Sequence, residues 1–328
     1  MADISTRFFG LELKSPVIAA SCGLTSSVEN IKKMADNGVG AVVLKSIFEE
    51  EIQHELNQEL AMRQPQGGAD DEYLDYFDYI IKEENLKKYL ALISEAKKAV
   101  DVPIIASINC ISSAEWISFT NKLEKSGTDA IELNLFIMPS DLSKSGKSNE
   151  LFYFETIEEI KKHISIPVTL KVSSYFSNLA KMLVDLSKTG VNGITLFNRF
   201  YMPDIDIEKE EVINSGILSN NTDYLVPLRW TALMHNKMDC PIAATTGVHT
   251  SKTMIKFLLA GASAVQVSSI LYKEGIETIK RFNNDLSAWM NKKGYSSIND
   301  FKGKITLTGN QSVKAFERVQ FMKQYGEY

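Results

Sequence analysis

The stretch Cys240–Tyr272, CPIAATTGVHTSKTMIKFLLAGASAVQVSSILY, contains two short apolar runs, each ending in small polar residues. It predicts strand, loop, helix, strand, loop. Pro241–Ala244 stops at Thr245-Thr246-Gly247, and Ala264–Val267 stops at Ser268-Ser269 before another helical pattern. Two such ends can cup one phosphate. Gly247 permits close backbone approach, the hydroxyls donate, and a following helix N-terminus adds partial positive charge. In a (β/α)8 barrel a phosphate site of this kind commonly follows the last two strands.

Outward from this stretch, one punctuation pattern recurs: a helical segment, a small or polar residue with Gly, then an apolar strand. It appears at Asn37-Gly38, Ser126-Gly127, Thr189-Gly190 and Ala260-Gly261. Each Gly suits a left-handed helix C-terminus that turns the chain into the next strand. Eight candidate strands follow: Pro16–Ala20, Ala41–Lys45, Pro103–Ile108, Ala130–Asn134, Pro167–Lys171, Gly193–Phe197, Pro241–Ala244 and Ala264–Val267. Helical patterns such as Leu86–Ala99, Thr156–His163 and Asn178–Lys188 lie between them. Alternating units predict one α/β domain over residues 1–328, a (β/α)8 TIM barrel; an open doubly wound sheet is the alternative. No GxGxxG follows the first strand, which counts against a dinucleotide fold. Long connections at Phe48–Asn85, Phe136–Leu151 and Asn198–Leu228 would all leave the C-terminal ends of strands, where barrel sites form.

With 328 residues and 44% hydrophobic content the chain can bury a full core. A net charge of -5, with lysines scattered among glutamates, argues against a nucleic-acid surface. Cys22, Cys110 and Cys240 show neither CxxC spacing nor scaffold density, and no apolar run approaches a membrane span. The expectation is a soluble, unprocessed, cytoplasmic protein. His54, His163, His235 and His249 lack metal-ligand spacing, so no metal site is expected.

Polar residues gather at the predicted strand ends: Ser21, Lys45-Ser46, Asn109, Asn134, Lys171, Asn198, Thr245-Thr246 and Ser268-Ser269. In a barrel they share one mouth. Lys45 and Lys171 close runs of strand formers, VVLK and VTLK, where a charge is costly unless it faces a polar ligand. Asn134 and Asn198 offer donors and acceptors to a planar heterocycle. Phosphate cradle, lysines and amides together describe a site for a phosphorylated planar cofactor, and FMN fits it. Singly, each lysine also reads as a solvated strand end and each Asn as a turn former.

These pieces resemble the dihydroorotate dehydrogenase family, especially its soluble class 1 members. The similarity is carried by SPVIAASCG, AVVLKS, EYLDYFDYI, IELNL, PVTLKVSSYF, TTGVHTSKTMIKFLLAGASAVQVSSILYKEG and GYSSINDFKGK. It implies an FMN-containing barrel that oxidises dihydroorotate to orotate in pyrimidine biosynthesis, working as a homodimer with fumarate or another soluble acceptor. By position it assigns Ala20, Ser21, Lys45, Ser46, Asn134 and Lys171 to the flavin. Thr246, Gly247, Ser268 and Ser269 fall to its phosphate, and Gly216 and Ser219 to a segment closing over it. Lys45, Asn134 and Asn198 fall to substrate; Arg199 replaces a small hydroxyl residue of the family and reads either as a bidentate partner for a substrate carboxylate or as a surface arginine.

The substrate side departs from the family. Its Asn-Leu-Ser-Cys-Pro-Asn motif, with the Cys as base, reads Asn134-Leu135-Phe136-Ile137-Met138-Pro139-Ser140 here, and neither Ile137 nor Met138 can take a proton. Ser140, Ser143 and Ser145 are the replacement candidates, with Lys45 also in the catalytic group; Cys110 is a further thiol. The family's Asn-Ser-Met-Gly-Leu-Pro-Asn loop is replaced by Gln64–Asp70. Three readings therefore stand beside dihydroorotate oxidation: an FMN oxidoreductase of another small anion, a non-catalytic flavin-binding barrel, and a flavin-free phosphate-binding isomerase or lyase.

Overall fold

The N-terminal hairpin joins β1 (Thr6–Phe8) to β2 (Leu11–Leu13) through Phe9 and Gly10, both at positive φ. Such a two-residue turn matches the twist of its strands. It belongs to a computed structural model that describes residues 2–48, 71–109, 113–200, 202–214, 216–306 and 316–317. Cys110, His54 and the Gln64–Asp70 loop lie outside the described residues.

Eight parallel strands close into a barrel: β3 (Val17–Ala19), β4 (Ala41–Val43), β6 (Ile104–Asn109), β7 (Ala130–Leu135), β8 (Val168–Val172), β9 (Ile194–Leu196), β12 (Ile242–Ala244) and β13 (Ala264–Val267). The pairing runs β4-β3-β13-β12-β9-β8-β7-β6, and a β4–β6 pairing completes the circle. Each predicted strand is present. The short β5 (Ile47–Phe48) extends the β6 edge. Helices α1 (Val28–Asp36), α2 (Asp71–Ala99), α3 (Ser113–Lys125), α4 (Gly146–His163), α5 (Leu179–Ser187), α6 (Leu225–Met234), α7 (Ser251–Leu259), α8 (Ser269–Glu274) and α9 (Thr278–Lys293) follow the strands in turn. Gly38, Gly127, Gly190 and Gly261 all adopt positive φ, the left-handed helix ends that the punctuation predicts.

Alternation along the strands divides the apolar residues into two cores. One set packs between strands and helices. The other, Ile18, Ala41, Val43, Ile105, Ala130, Ala243 and Ala264, fills the barrel interior together with Phe8, Phe9 and Leu13. The hairpin thus plugs the N-terminal end of the barrel. A Cβ on Gly193, at the entry to β9, would lie 2.6 Å from the Phe8 ring, so this position accepts only hydrogen. The site is left to the opposite end.

The three long connections contain more structure than the sequence predicts. The helix expected from Leu86 is already formed at Asp71, fifteen or so residues earlier, a span long enough for about four further turns. The helix expected from Thr156 begins at Gly146, capped by Ser145 Oγ accepting from Ser148 N at 3.1 Å. The third connection carries an antiparallel hairpin, β10 (Pro203–Asp206) and β11 (Glu211–Asn214), and the first turn of α6.

Candidate active site

Period-two alternation sends three layers of side chains into the barrel. Below is the apolar layer with the hairpin plug. In the middle, Ser107, Glu132, Thr169, Thr195 and Gln266 are all buried. Above them, at the mouth, come Ala20, Asn134, Lys171, Phe197 and Thr245 at the ends of β3, β7, β8, β9 and β12. The β7–β8 register sets Asn134 opposite Lys171.

The middle layer is a polar cluster that sequence reading missed. Glu132 is 0% exposed. Its Oε2 accepts from Gln266 Nε2 at 2.5 Å and Thr195 Oγ1 at 3.2 Å. Its Oε1 has no hydrogen-bond partner and lies 4.0 Å from Lys171 Nζ. A signal exists in the sequence: Glu132 and Asn134, like Thr169 and Lys171, are two residues apart and so share the inward face.

A cavity at the mouth is lined by Ala20, Ser21, Lys171, Asn198, Arg199 and Ser219, and on its far side by Thr245 through Val248 and Gln266 through Ser269. The predicted phosphate residues Thr246, Gly247, Ser268 and Ser269 therefore share one wall. Thr246 holds a left-handed φ of 75° while its hydroxyl donates to Phe197 O at 3.2 Å. For a β-branched residue that conformation is strained, and strain of this kind concentrates at sites. Gly247 also has positive φ, but a Cβ there would meet the backbone of Tyr224 and Asp223. Its close approach is to the entry of α6 rather than to a phosphate, the partner that the sequence reading gives it.

The segment around Ser219 is pinned over this wall. Ser219 N donates to Ser269 Oγ at 2.9 Å, Ser219 Oγ shares a 2.9 Å hydrogen bond with His249 Nε2, and Lys273 Nζ donates to Ser219 O at 2.9 Å. Burial, and then the neighbouring Lys273 charge, hold His249 below the usual histidine range. Gly216 does not line the cavity but bonds Arg199. The guanidinium donates to Ile217 O at 2.6 Å and Gly216 O at 3.4 Å, with Nε 3.8 Å from Asp223 Oδ2. Arg199, expected to pair with a substrate carboxylate, is thus engaged in clasping the 216–223 segment, although it still lines the cavity.

On the other side, Ser21 Oγ lies 3.0 Å from Ser46 Oγ and accepts from Ser46 N, and Ser46 Oγ lies 2.6 Å from Ser107 Oγ. Ser46 is buried and acts behind Ser21. Lys45 is exposed at the end of β4. Asn134 is only 6% exposed, and its Oδ1 has no partner.

The loop after β7 supplies no hydroxyl to the cavity. Ser140 is exposed; Ser143 is exposed and donates from both N and Oγ to Asp141 Oδ1; Ser145 is the α4 cap. None of the three candidate bases lines the cavity that Lys171 lines. Instead Phe136 packs edge-on against Phe200 at 5.1 Å, and Tyr175 lies tilted against the same ring at 4.7 Å. These rings come from the loops after β7, β9 and β8. Cys240 is buried, with its thiol pushed up to about 12 by burial, and it precedes β12 at the far end of the barrel. No cluster of metal-ligating side chains occurs among the described residues.

The fold and site define a (β/α)8 barrel whose mouth holds a cavity with a hydroxyl-rich wall on one side and Lys171 and Asn198 on the other. A family model described as Dihydroorotate dehydrogenase matches residues 3–290. The chain belongs to the dihydroorotate dehydrogenase family. It is 27% identical over 316 residues to a dihydroorotate dehydrogenase B (NAD(+)) catalytic subunit of Thermoplasma volcanium, covering 92% of this chain and 98% of that one. It is 28% identical to a dihydroorotate dehydrogenase A (fumarate) of Lactococcus lactis, covering 92% and 99%. A dihydroorotate dehydrogenase (fumarate) of Saccharomyces mikatae is 27% identical, covering 93% and 98%.

Proposed function

We propose that this chain is an FMN-dependent oxidoreductase that converts dihydroorotate to orotate in pyrimidine biosynthesis. The observation that carries the reading is the cavity that joins the Thr246-Gly247 and Ser268-Ser269 wall to Lys171 and Asn198. The residues present suit the cofactor. The cavity presents the hydroxyls of Ser21, Thr246, Ser268 and Ser269 and the Lys171 ammonium, donors of the kind that a phosphate and the carbonyl oxygens of a flavin require.

Thr246, Gly247, Ser268 and Ser269 would hold the phosphate, with Ala20, Ser21, Lys45, Asn134 and Lys171 on the ring. Bound FMN supplies the acceptor for a hydride. Lys171, nearly buried in the cavity lining, would hold the ring with its ammonium and offset negative charge there. Arg199 and Ser219 fix the 216–223 segment over the cavity and so exclude water. Asn198 and Asn134 orient substrate through amide hydrogen bonds. Taking the substrate's C5 proton falls to the 136–145 loop. There Ser143 Oγ already donates to Asp141, whose carboxyl lies below its usual range because Ser143 hydrogen bonds favour the charge. Ser140 and Ser143 serve only when this loop closes over the mouth.

The alternative, a flavin oxidoreductase of another small anion, is favoured by one observation. Phe136 stands where the family motif carries Ser, and it packs against Phe200, which Tyr175 also touches. A cytoplasmic location and a homodimeric state belong to the same proposal and follow from the resemblance to class 1 members. No helix among the described residues is long and apolar enough to cross a membrane. Exposed Ile205 and Val212 on the β10–β11 hairpin offer an apolar face for a second copy.

Steady-state orotate formation with a soluble electron acceptor, together with chromatography of the released flavin, tests the proposal. Orotate and FMN support it. FMN without orotate moves the weight to the alternative substrate, and absence of flavin rejects both.

A further inference from the structure

We propose that Glu132 is a positioning residue for Lys171: its carboxylate aims the ammonium at the cavity floor and keeps it charged there. The inference rests on the flavin reading of the cavity and extends it to a residue below the site.

Three strands converge on this carboxylate. Gln266 on β13 and Thr195 on β9 both donate to Oε2, which fixes the orientation of the group. Oε1 is thereby turned toward Lys171 on β8 and makes no hydrogen bond of its own. A fully buried carboxylate with one oxygen unsatisfied is costly unless a charge answers it. Lys171, 9% exposed, provides that charge. At 4.0 Å the two groups attract without being hydrogen-bonded, so the three ammonium donors remain available to whatever occupies the cavity.

The other charged groups at this mouth do not substitute for Glu132. Arg199, after β9, is a like charge and is itself engaged with Asp223 and two carbonyls. Lys45, after β4, is exposed and has the same sign. Without Glu132, Lys171 would lose the one carboxylate beside it while staying nearly buried, and burial favours the neutral amine. A neutral Lys171 could not offset negative charge developing in the ring above it.

The test compares wild-type holoprotein with Glu132→Gln, which keeps size and hydrogen bonding, and with Glu132→Asp, which keeps the charge. The first readout is the Lys171 Nζ titration followed by NMR in lysine-labelled protein, with and without flavin. The second is the pH profile of flavin reduction. Glu132→Gln is expected to move the loss of the Lys171 proton down by at least about one pH unit, tenfold in acid dissociation, with flavin reduction failing at correspondingly lower pH. Glu132→Asp is expected to restore most of the shift.

A merely structural Glu132 would lower thermal stability and leave both midpoints in place, which overturns the proposal. Should Glu132→Gln not fold, Thr195→Val loosens the carboxylate and is expected to shift the midpoint in the same direction by a smaller amount; an unmoved midpoint there also overturns it. A wild-type protein that binds no flavin refutes the cofactor reading, whereas the Nζ titration still decides whether Glu132 governs Lys171.

Discussion

A Cβ placed on Gly247 would sit 2.3 Å from the backbone nitrogen of Tyr224 and 2.9 Å from the carbonyl carbon of Asp223. The glycine that follows β12 is therefore the contact that lets α6 begin beside the Thr246–Ser269 wall of the cavity. Gly247 also holds φ near +72°, where an L side chain is strained. Gly247→Ala is expected to destabilise the fold by about 2–3 kcal/mol and to lower flavin content. Gly146, in the first turn of α4, is the control, because a methyl group there would have nothing within 4 Å. Gly146→Ala should be neutral or stabilising by about 0.5–1 kcal/mol. Urea melts with flavin quantitation check both, and equal costs at the two sites would contradict the contact argument.

Removing Lys171 leaves a charge behind. Lys171→Met strands the fully buried Glu132 carboxylate, at an expected cost of about 3 kcal/mol, the usual scale for breaking a buried pair. The double variant Lys171→Met/Glu132→Gln should recover much of that stability while its flavin reduction stays as slow as in Lys171→Met. A chemical denaturation cycle over the four proteins measures the coupling, and additive costs would show that the pair does not interact.

His249 and His235 both sit below the ordinary histidine range, chiefly through burial. A lowered value in the folded state means that the unfolded chain binds the proton first as pH falls. Stability should therefore be level above about pH 6.5 and decline as pH drops from there through the folded values. Melting temperatures from about pH 8 to about pH 5 report this. His249→Gln should flatten part of the decline, and an unchanged slope would remove His249 from the account.

Phe200 carries both Phe136 and Tyr175 on its ring. Phe200→Ala removes two aromatic contacts, each worth about 1 kcal/mol beyond buried area. The loops after β7 and β8 should loosen together, raising KM for substrate roughly tenfold with flavin content unchanged. That magnitude corresponds to about 1.4 kcal/mol of lost binding. Loss of flavin in parallel would place the rings in the cofactor site instead.

The barrel was legible because its code is local. A glycine after each of four helices and a short apolar run after each glycine need only backbone geometry and period two to be interpreted, and all eight strands fall within a residue or two of expectation. The cavity wall from Thr246 to Ser269 was legible for the same reason: residues at strand ends must meet at the mouth. Distance along the chain hid the rest. Glu132, Thr195 and Gln266 are 63 to 134 positions apart, and only closure of the barrel brings them together. Phe8 and Phe9 drew no reading from the sequence, yet they plug the barrel floor. Arg199 showed its charge in the sequence but not its partners, which lie on the 216–223 segment. Ser140 and Ser143 have the right chemistry for a base, but the loop that carries them leaves both exposed.

The most direct measurement is an anaerobic titration of the purified protein with dihydroorotate, following the oxidised-flavin band at about 450 nm. The account predicts complete bleaching with roughly one orotate formed per flavin, slowed at least about a hundredfold in Lys171→Met, on the scale of losing one electrostatic stabiliser of the reacting site. A yellow protein that dithionite bleaches and dihydroorotate does not would contradict the substrate assignment and leave a flavin barrel whose aromatic wall selects something else.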